Sequence, residues 1–163
     1  FDKAIELSPQ YFYAYNNRGN SKSALGLYED AIEDFNIAIN IEPKYIDAYY
    51  NRAVAKNNMG LHNEAIKDYD IVIELDSNHI NAYYNRALSY YNLSDYEEAI
   101  KNYDKVIELN PKSAEAYNNR GFAKYSIGLY EEALKDYDKA IEIDSNYEKA
   151  KNNKEEALKK LSK

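Results

Sequence analysis

The chain has no cysteine and no tryptophan, one methionine, two histidines and three prolines among its 163 residues. Without cysteine there is no disulfide framework, no thiolate metal site and no thiol nucleophile. Its apolar runs are only a few residues long, far short of the roughly 20 needed to cross a bilayer, and no signal-peptide pattern is visible. Positive charge is the minority sign: 21 Lys and Arg stand against 28 Asp and Glu, for a net charge of −7. Nucleic acids and anionic membrane surfaces both need a basic face, so neither a nucleic-acid partner nor membrane insertion is expected. There is also no glycine-rich phosphate loop and no nucleophile beside a histidine. No enzymatic activity, cofactor or metal is expected.

What is there is a globular composition, 45% hydrophobic and 30% charged, in a chain long enough to bury a core. Nineteen tyrosines stand out, together with many asparagines. An AT-rich coding sequence would raise both, so neither abundance is by itself a functional signal.

The dominant feature is a period of 34 residues. "AYYNRA" occurs at 48–53 and 82–87, and "AYNNRG" at 14–19 and 116–121. A fixed period of this size denotes a stacked array. Four repeats span 12–45, 46–79, 80–113 and 114–147. In each, small or apolar residues at positions 3, 4, 8, 10 and 14 form a helical stripe, and those at 20, 21, 24, 27, 28 and 30 form a second. Position 15 is Gly26, Gly60, Ser94 or Gly128, suited to a left-handed helix C-cap. Position 32 is Pro43 or Pro111 in two repeats and Ser77 or Ser145 in the others, and is expected to end the second helix. Each repeat therefore reads as a helical hairpin. Small residues at positions 8, 20 and 27 mark close helix crossings, filled around by aromatic rings at 4, 17 and 24. Most of the tyrosines read as core.

This grammar resembles the tetratricopeptide repeat over nearly the whole chain, through residues such as Tyr117, Gly121, Gly128, Tyr130, Ala133, Tyr137 and Ala140 of the fourth repeat. Two positions depart from the family pattern. Position 7, usually leucine, is always arginine, and position 11, usually aromatic, is Lys22, Lys56 or Lys124, with only Tyr90 conforming. The expected fold is an all-α, right-handed superhelical solenoid of antiparallel helix hairpins. The expected organisation is one array over 1–163: residues 1–11 are the tail of a truncated repeat, and 148–163 a capping helix. Residues 1–9 match positions 24–32, so further repeats are expected before Phe1.

All four arginines, Arg18, Arg52, Arg86 and Arg120, occupy position 7. A planar, bidentate cation is used where lysine is otherwise the rule. Two roles are open: an inter-helix ion-pair and stacking row, with Asp34, Asp68, Asp136 at position 23 or Asp70, Asp104, Asp138 at 25 as partners, or an anion-binding row. The structural role is the expectation. Position 6 is Asn17, Asn51, Asn85 and Asn119. Asparagine costs about 0.5 kcal/mol against alanine inside a helix, and its carboxamide both donates and accepts. The resemblance implies that position 6 faces the concave groove, where such a row holds the backbone of an extended peptide; duplication in an asparagine-rich chain is the other explanation. The groove wall would add Asn16, Tyr50, Tyr84 and Asn118 at position 5, Asn20, Leu88 and Phe122 at 9, and Tyr91 and Tyr125 at 12. It is polar in the first repeat and aromatic in the third and fourth.

Some family members clamp acidic chaperone tails through lysine, arginine and asparagine. Here Asn16, Asn20, Asn51, Asn81 and Asn85 occupy those positions and the cations are missing, so this clamp is not expected. His62 and His79 stand where other repeats mostly carry tyrosine and read as aromatic substitutes. The expected function is non-enzymatic interaction with a protein or peptide partner in the groove. The rival readings are a scaffold or regulatory segment of a larger enzyme or secretion machine, and a self-assembly module, with weak self-association through the truncated N-terminal end. No residue pattern fixes the compartment; the cytoplasm is the expectation.

Overall fold

The computed structural model describes residues 1–162, and among them it holds ten helices and no strand. The first helices of the hairpins are α2 (Phe12–Ala24), α4 (Ile46–Asn58), α6 (Ile80–Asn92) and α8 (Ala114–Ser126). The second helices are α3 (Tyr28–Ile41), α5 (His62–Leu75), α7 (Tyr96–Leu109) and α9 (Tyr130–Ile143). A short α1 (Asp2–Leu7) precedes them and α10 (Glu148–Leu161) follows.

The turns follow from backbone chemistry. Gly26, Gly60 and Gly128 have φ of 79°, 77° and 83°, and Ser94 adopts 62° at the same place. Each left-handed residue lets the next N–H reach back to a carbonyl five residues earlier, as Leu27 does to Lys22 at 3.0 Å and Asp95 to Tyr90 at 2.9 Å. The second helices end two residues before the proline or serine that the sequence singles out, with one capping residue between. Glu42, Asp76, Asn110 and Asp144 are extended there. Their side chains accept from the N–H two residues on, as Asp144 does from Asn146 at 2.9 Å and Asp76 from Asn78 at 3.0 Å. That local turn ends the helix with or without a following proline.

The helices form two compact units, 1–82 and 83 onward. In the first, Phe35 packs with Ala31 and Ala55, Tyr69 with Ala53, Ala65, Val72 and Ala82, and Tyr15 with Ala38, Ile39 and Ala48. Ile5 of α1 joins this last cluster, while Phe1 and Leu7 remain 58% and 75% exposed. In the second unit Tyr103 packs with Ala87, Ala99 and Ala123, and Tyr137 with Ala133 and Ala157. The small residue at position 8 is required by the ring at 24. A Cβ on Gly19 would stand 2.6 Å from Phe35 Cε1, and one on Gly121 2.8 Å from Tyr137 Cε1.

Helix α10 is in the register of a first helix. Ala150 and Ala157 are fully buried, while Leu158 and Leu161 of the same expected stripe stay exposed. Asn153 and Lys154 fall at positions 6 and 7, and Lys154 pairs with Asp138 of α9 at 2.6 Å.

Candidate functional site

The arginine row is a set of three-helix joints. Arg18 donates through Nε and Nη2 to Asp34 at 2.9 and 2.6 Å, and through Nη1 to Asp2 at 2.7 Å. Arg52 does the same to Asp68 at 2.9 and 2.6 Å and to Asn36 at 2.5 Å. Arg120 binds Asp136 at 2.9 and 2.5 Å and Asp104 at 2.6 Å. Arg18, Arg52 and Arg120 thus each tie their own helix to position 23 of their hairpin and to position 25 of the helix before. All four guanidinium carbons also lie 5.4–5.6 Å from the ring centre of the position-4 tyrosine, within cation–π reach. These contacts hold Arg18 and Arg120 firmly in the charged form; burial of Arg120 opposes this and is outweighed by the hydrogen bonds it donates to Asp136 and Asp104.

A second cation was not assigned a partner from sequence. Lys22, Lys56 and Lys124 at position 11 reach Asp34, Asp68 and Asp136 at 2.8, 2.6 and 2.7 Å. In the third repeat both members change together: the lysine is Tyr90 and the aspartate is Asn102. Asn102 accepts from Arg86 Nε at 2.7 Å and turns its amide to the Glu98 carbonyl at 2.8 Å. The exchange removes one charge of each sign together and so keeps the joint's net charge, and the paired change is readable in the sequence.

The asparagines at position 6 link successive first helices. Asn51 donates to Asn16 at 3.0 Å, and Asn119 donates to the Tyr84 hydroxyl at 2.7 Å. Asn153 donates to Asn118 at 2.9 Å, and Asn118 to Asn119 at 3.0 Å. Asn16 and Asn118 at position 5 are therefore buried, at 3% and 0% exposure, and support their neighbours rather than face solvent. Asn17 and Asn20 are exposed. Asn51, Asn85 and Asn119 are half-buried, and Asn51 and Asn119 keep polar capacity beyond the bonds above.

The histidines have local partners. His62 Nδ1 lies 3.0 Å from Asn57 Oδ1, and His79 Nδ1 accepts from the Ala82 N–H at 3.1 Å, at the start of α6. His79 also packs its ring 5.0 Å from that of Tyr50.

In the second unit the first-helix face opens into a pocket of about 310 Å³. Tyr84, Leu88 and Tyr91 of α6 and Asn119 and Phe122 of α8 line it, all expected groove residues, with Tyr103 of α7 behind. Glu115 and Lys149, both at position 2 of their helices, complete it. Phe122 is 37% exposed and stacks on Tyr91 at 5.5 Å and on Tyr125 at 6.4 Å. Burial and a hydrogen bond to the Glu115 carboxylate hold the Tyr84 hydroxyl well above its usual pKa. Among the described residues no group of three or more potential metal ligands is gathered, and no helix is long and apolar enough to cross a membrane.

Repeated helical hairpins, tied by a periodic row of side chains, define a helical-repeat protein. A TPR-repeat family model matches residues 19–60 and 89–128, half of the chain. Two tetratricopeptide-repeat models match 46–79 with 114–147, and 1–33 with 69–101. The chain belongs to the tetratricopeptide repeat family. No curated protein matches it in sequence. The crystal structure of MamA is 28% identical over 91% of this chain and 86% of that one, with a TM-score of 0.85. The first tetratricopeptide-repeat domain of Spaghetti (RPAP3), bound to the HSP90 peptide SRMEEVD, is 25% identical over 72% and 94% of the two chains, at TM-score 0.70. A tetratricopeptide repeat protein from Parabacteroides merdae ATCC 43184 shares the fold at TM-score 0.86 and 22% identity, covering 99% of this chain and 64% of that one.

Proposed function

We propose that the chain is a non-catalytic protein-interaction module that holds an extended partner segment against its first helices. Asn17, Asn51, Asn85 and Asn119 offer carboxamides to the partner's backbone, with Asn16 and Asn118 fixing Asn51 and Asn119 from behind. Tyr50, Tyr84, Leu88, Tyr91, Phe122 and Tyr125 supply the apolar wall, and Asn20 a polar contact. The observation that carries this reading is the pocket at Tyr84, Leu88, Tyr91 and Phe122, which puts half-exposed aromatic surface beside a pre-organised amide. A structural relative, the RPAP3 domain, is bound to a peptide, which supports a peptide-binding role. Affinities of about 1–100 μM are expected, because an extended segment must be ordered on binding. Peptides selected on this protein from a random display library test the reading. The double change Leu88→Ser and Phe122→Ser should weaken them at least about tenfold. Unchanged affinity overturns it.

A second reading, self-association, is favoured by the exposure of Phe1 and Leu7 on α1 and of Leu158 and Leu161 on α10. Light scattering across concentrations should show weak association that Phe1→Ser with Leu7→Ser reduces; a strictly monomeric chain at millimolar concentration refutes it.

A further inference from the structure

The pocket in the second unit is not a neutral apolar slot. Glu115 enters it from α8 and shares the pocket with the Tyr84 hydroxyl, whose pKa burial and this carboxylate raise. That hydroxyl in turn accepts from Asn119, which accepts from Asn118, which accepts from Asn153. Every link of this chain donates toward Tyr84, so the amides fix its hydroxyl in the pocket that Glu115 lines. A carboxylate has about four acceptor sites, ample for a cationic head group. Among the described residues no lysine, arginine or histidine lies within ion-pair distance of Glu115. Lys149, the other charged residue of the pocket, forms no ion pair with it. The walls around the carboxylate are aromatic and aliphatic: Tyr84, Tyr91, Phe122 and Leu88. A carboxylate set among ring faces is a site for a cation with an apolar stem, since the stem covers Leu88 and Phe122 while the head meets the charge and the ring quadrupoles. The surface charge agrees with this polarity: the chain is net −7, which attracts a basic segment and repels an acidic one.

Resting on the groove reading above, we infer that this pocket is the anchor for an arginine or lysine of the bound segment, seated with its stem on Leu88 and Phe122 and its cationic head on Glu115. The partner is therefore a basic segment, in contrast to the acidic HSP90 peptide held by the RPAP3 domain.

Three fluorescein-labelled nine-residue peptides with identical Gly, Ser and Leu flanks test this by anisotropy, with arginine, norleucine or glutamate at the centre. The arginine peptide should bind about five- to tenfold more tightly than the norleucine peptide, and the glutamate peptide most weakly. Glu115→Gln should equalise arginine and norleucine without weakening norleucine, while Lys149→Gln should leave the arginine preference in place or raise it. Raising the salt concentration should shrink the preference. If norleucine or glutamate binds best, or if Glu115→Gln keeps the arginine preference, the cation anchor is wrong and the groove reading stands. If none of the three binds at about millimolar concentration, while library-selected peptides bind and are weakened by the Leu88 and Phe122 changes, the anchor alone fails. If those selected peptides are also indifferent to the groove changes, both readings fail.

Discussion

Transplanting the third repeat's joint into the second repeat tests the energetic account of the arginine row. Asp68 is 3% exposed and receives two bonds from Arg52, at 2.9 and 2.6 Å, and one from Lys56 at 2.6 Å. Charge-assisted bonds contribute about 1.5–3 kcal/mol each. Asp68→Asn retains an acceptor for Arg52 Nε, as Asn102 does for Arg86, and can turn its amide to the Glu64 carbonyl as Asn102 does to Glu98. It loses the Lys56 bond and the charge facing Nη2, so it should cost about 2–3 kcal/mol. Lys56→Tyr alone leaves the bidentate arginine pair in place and should cost about 1–2 kcal/mol. The double variant brings the Tyr90 and Asn102 pair to positions 56 and 68 but leaves Arg52 between two neutral partners, the new amide at 68 and Asn36, so it should cost no more than Asp68→Asn alone, about 2–3 kcal/mol. The coupling between the two sites is then at least about 1 kcal/mol. Repeat arrays need not unfold in one step, so local readout matters. Amide hydrogen exchange in α4 and α5, beside denaturant unfolding followed by helical circular dichroism, measures the cycle. A double variant as unstable as the sum of the two single changes refutes the charge-balanced joint.

Three other perturbations have definite signs. Ser94→Gly removes a Cβ from a left-handed turn at φ 62° and should stabilise by about 1 kcal/mol in denaturant unfolding. Tyr137→Phe deletes a buried hydroxyl that meets no hydrogen-bonding atom among the described residues, at a position where the first repeat already carries Phe35; stability should hold or rise by about 1 kcal/mol, and a loss above that shows the hydroxyl is satisfied. Burial pushes the Asp34 carboxyl up, but hydrogen bonds from Arg18 and Lys22 outweigh it and leave its pKa below the usual value. Its contribution is present above the unfolded-state pKa of about 3.9 and is lost as pH falls through the lower folded value, so Asp34→Asn should flatten the loss of thermal stability below about pH 4.

Much of this architecture was legible because one rule is written four times. The helix pairs follow from apolar spacing, and the left-handed turns from glycine at position 15. The guanidinium joints follow from four arginines confined to one phase. Two things were harder to see. The second-helix ends were assigned to proline or serine, whereas the side chain one residue earlier makes the turn: glutamate, aspartate and asparagine there carry no apolar signal and are easily taken for surface. At the groove, Asn16 and Asn118 share a helix face with Tyr50 and Tyr84, so spacing alone treats the four alike. Side-chain length separates them. A short asparagine sinks beneath its neighbour at 35 residues' remove, while Tyr84 at the same position lines the pocket and Tyr50 packs near Tyr69 and His79. Glu115 and Lys149 escaped notice individually because position 2 carries a different residue type in every repeat.

The claim that partners are read by the first helices is tested most directly by amide chemical-shift mapping with a library-selected peptide. The account predicts that the largest shifts fall on Tyr84, Leu88, Tyr91, Asn119 and Phe122 and disappear with Leu88→Ser and Phe122→Ser. Shifts gathered instead on the second helices α7 and α9, with the first-helix resonances unmoved, would contradict it.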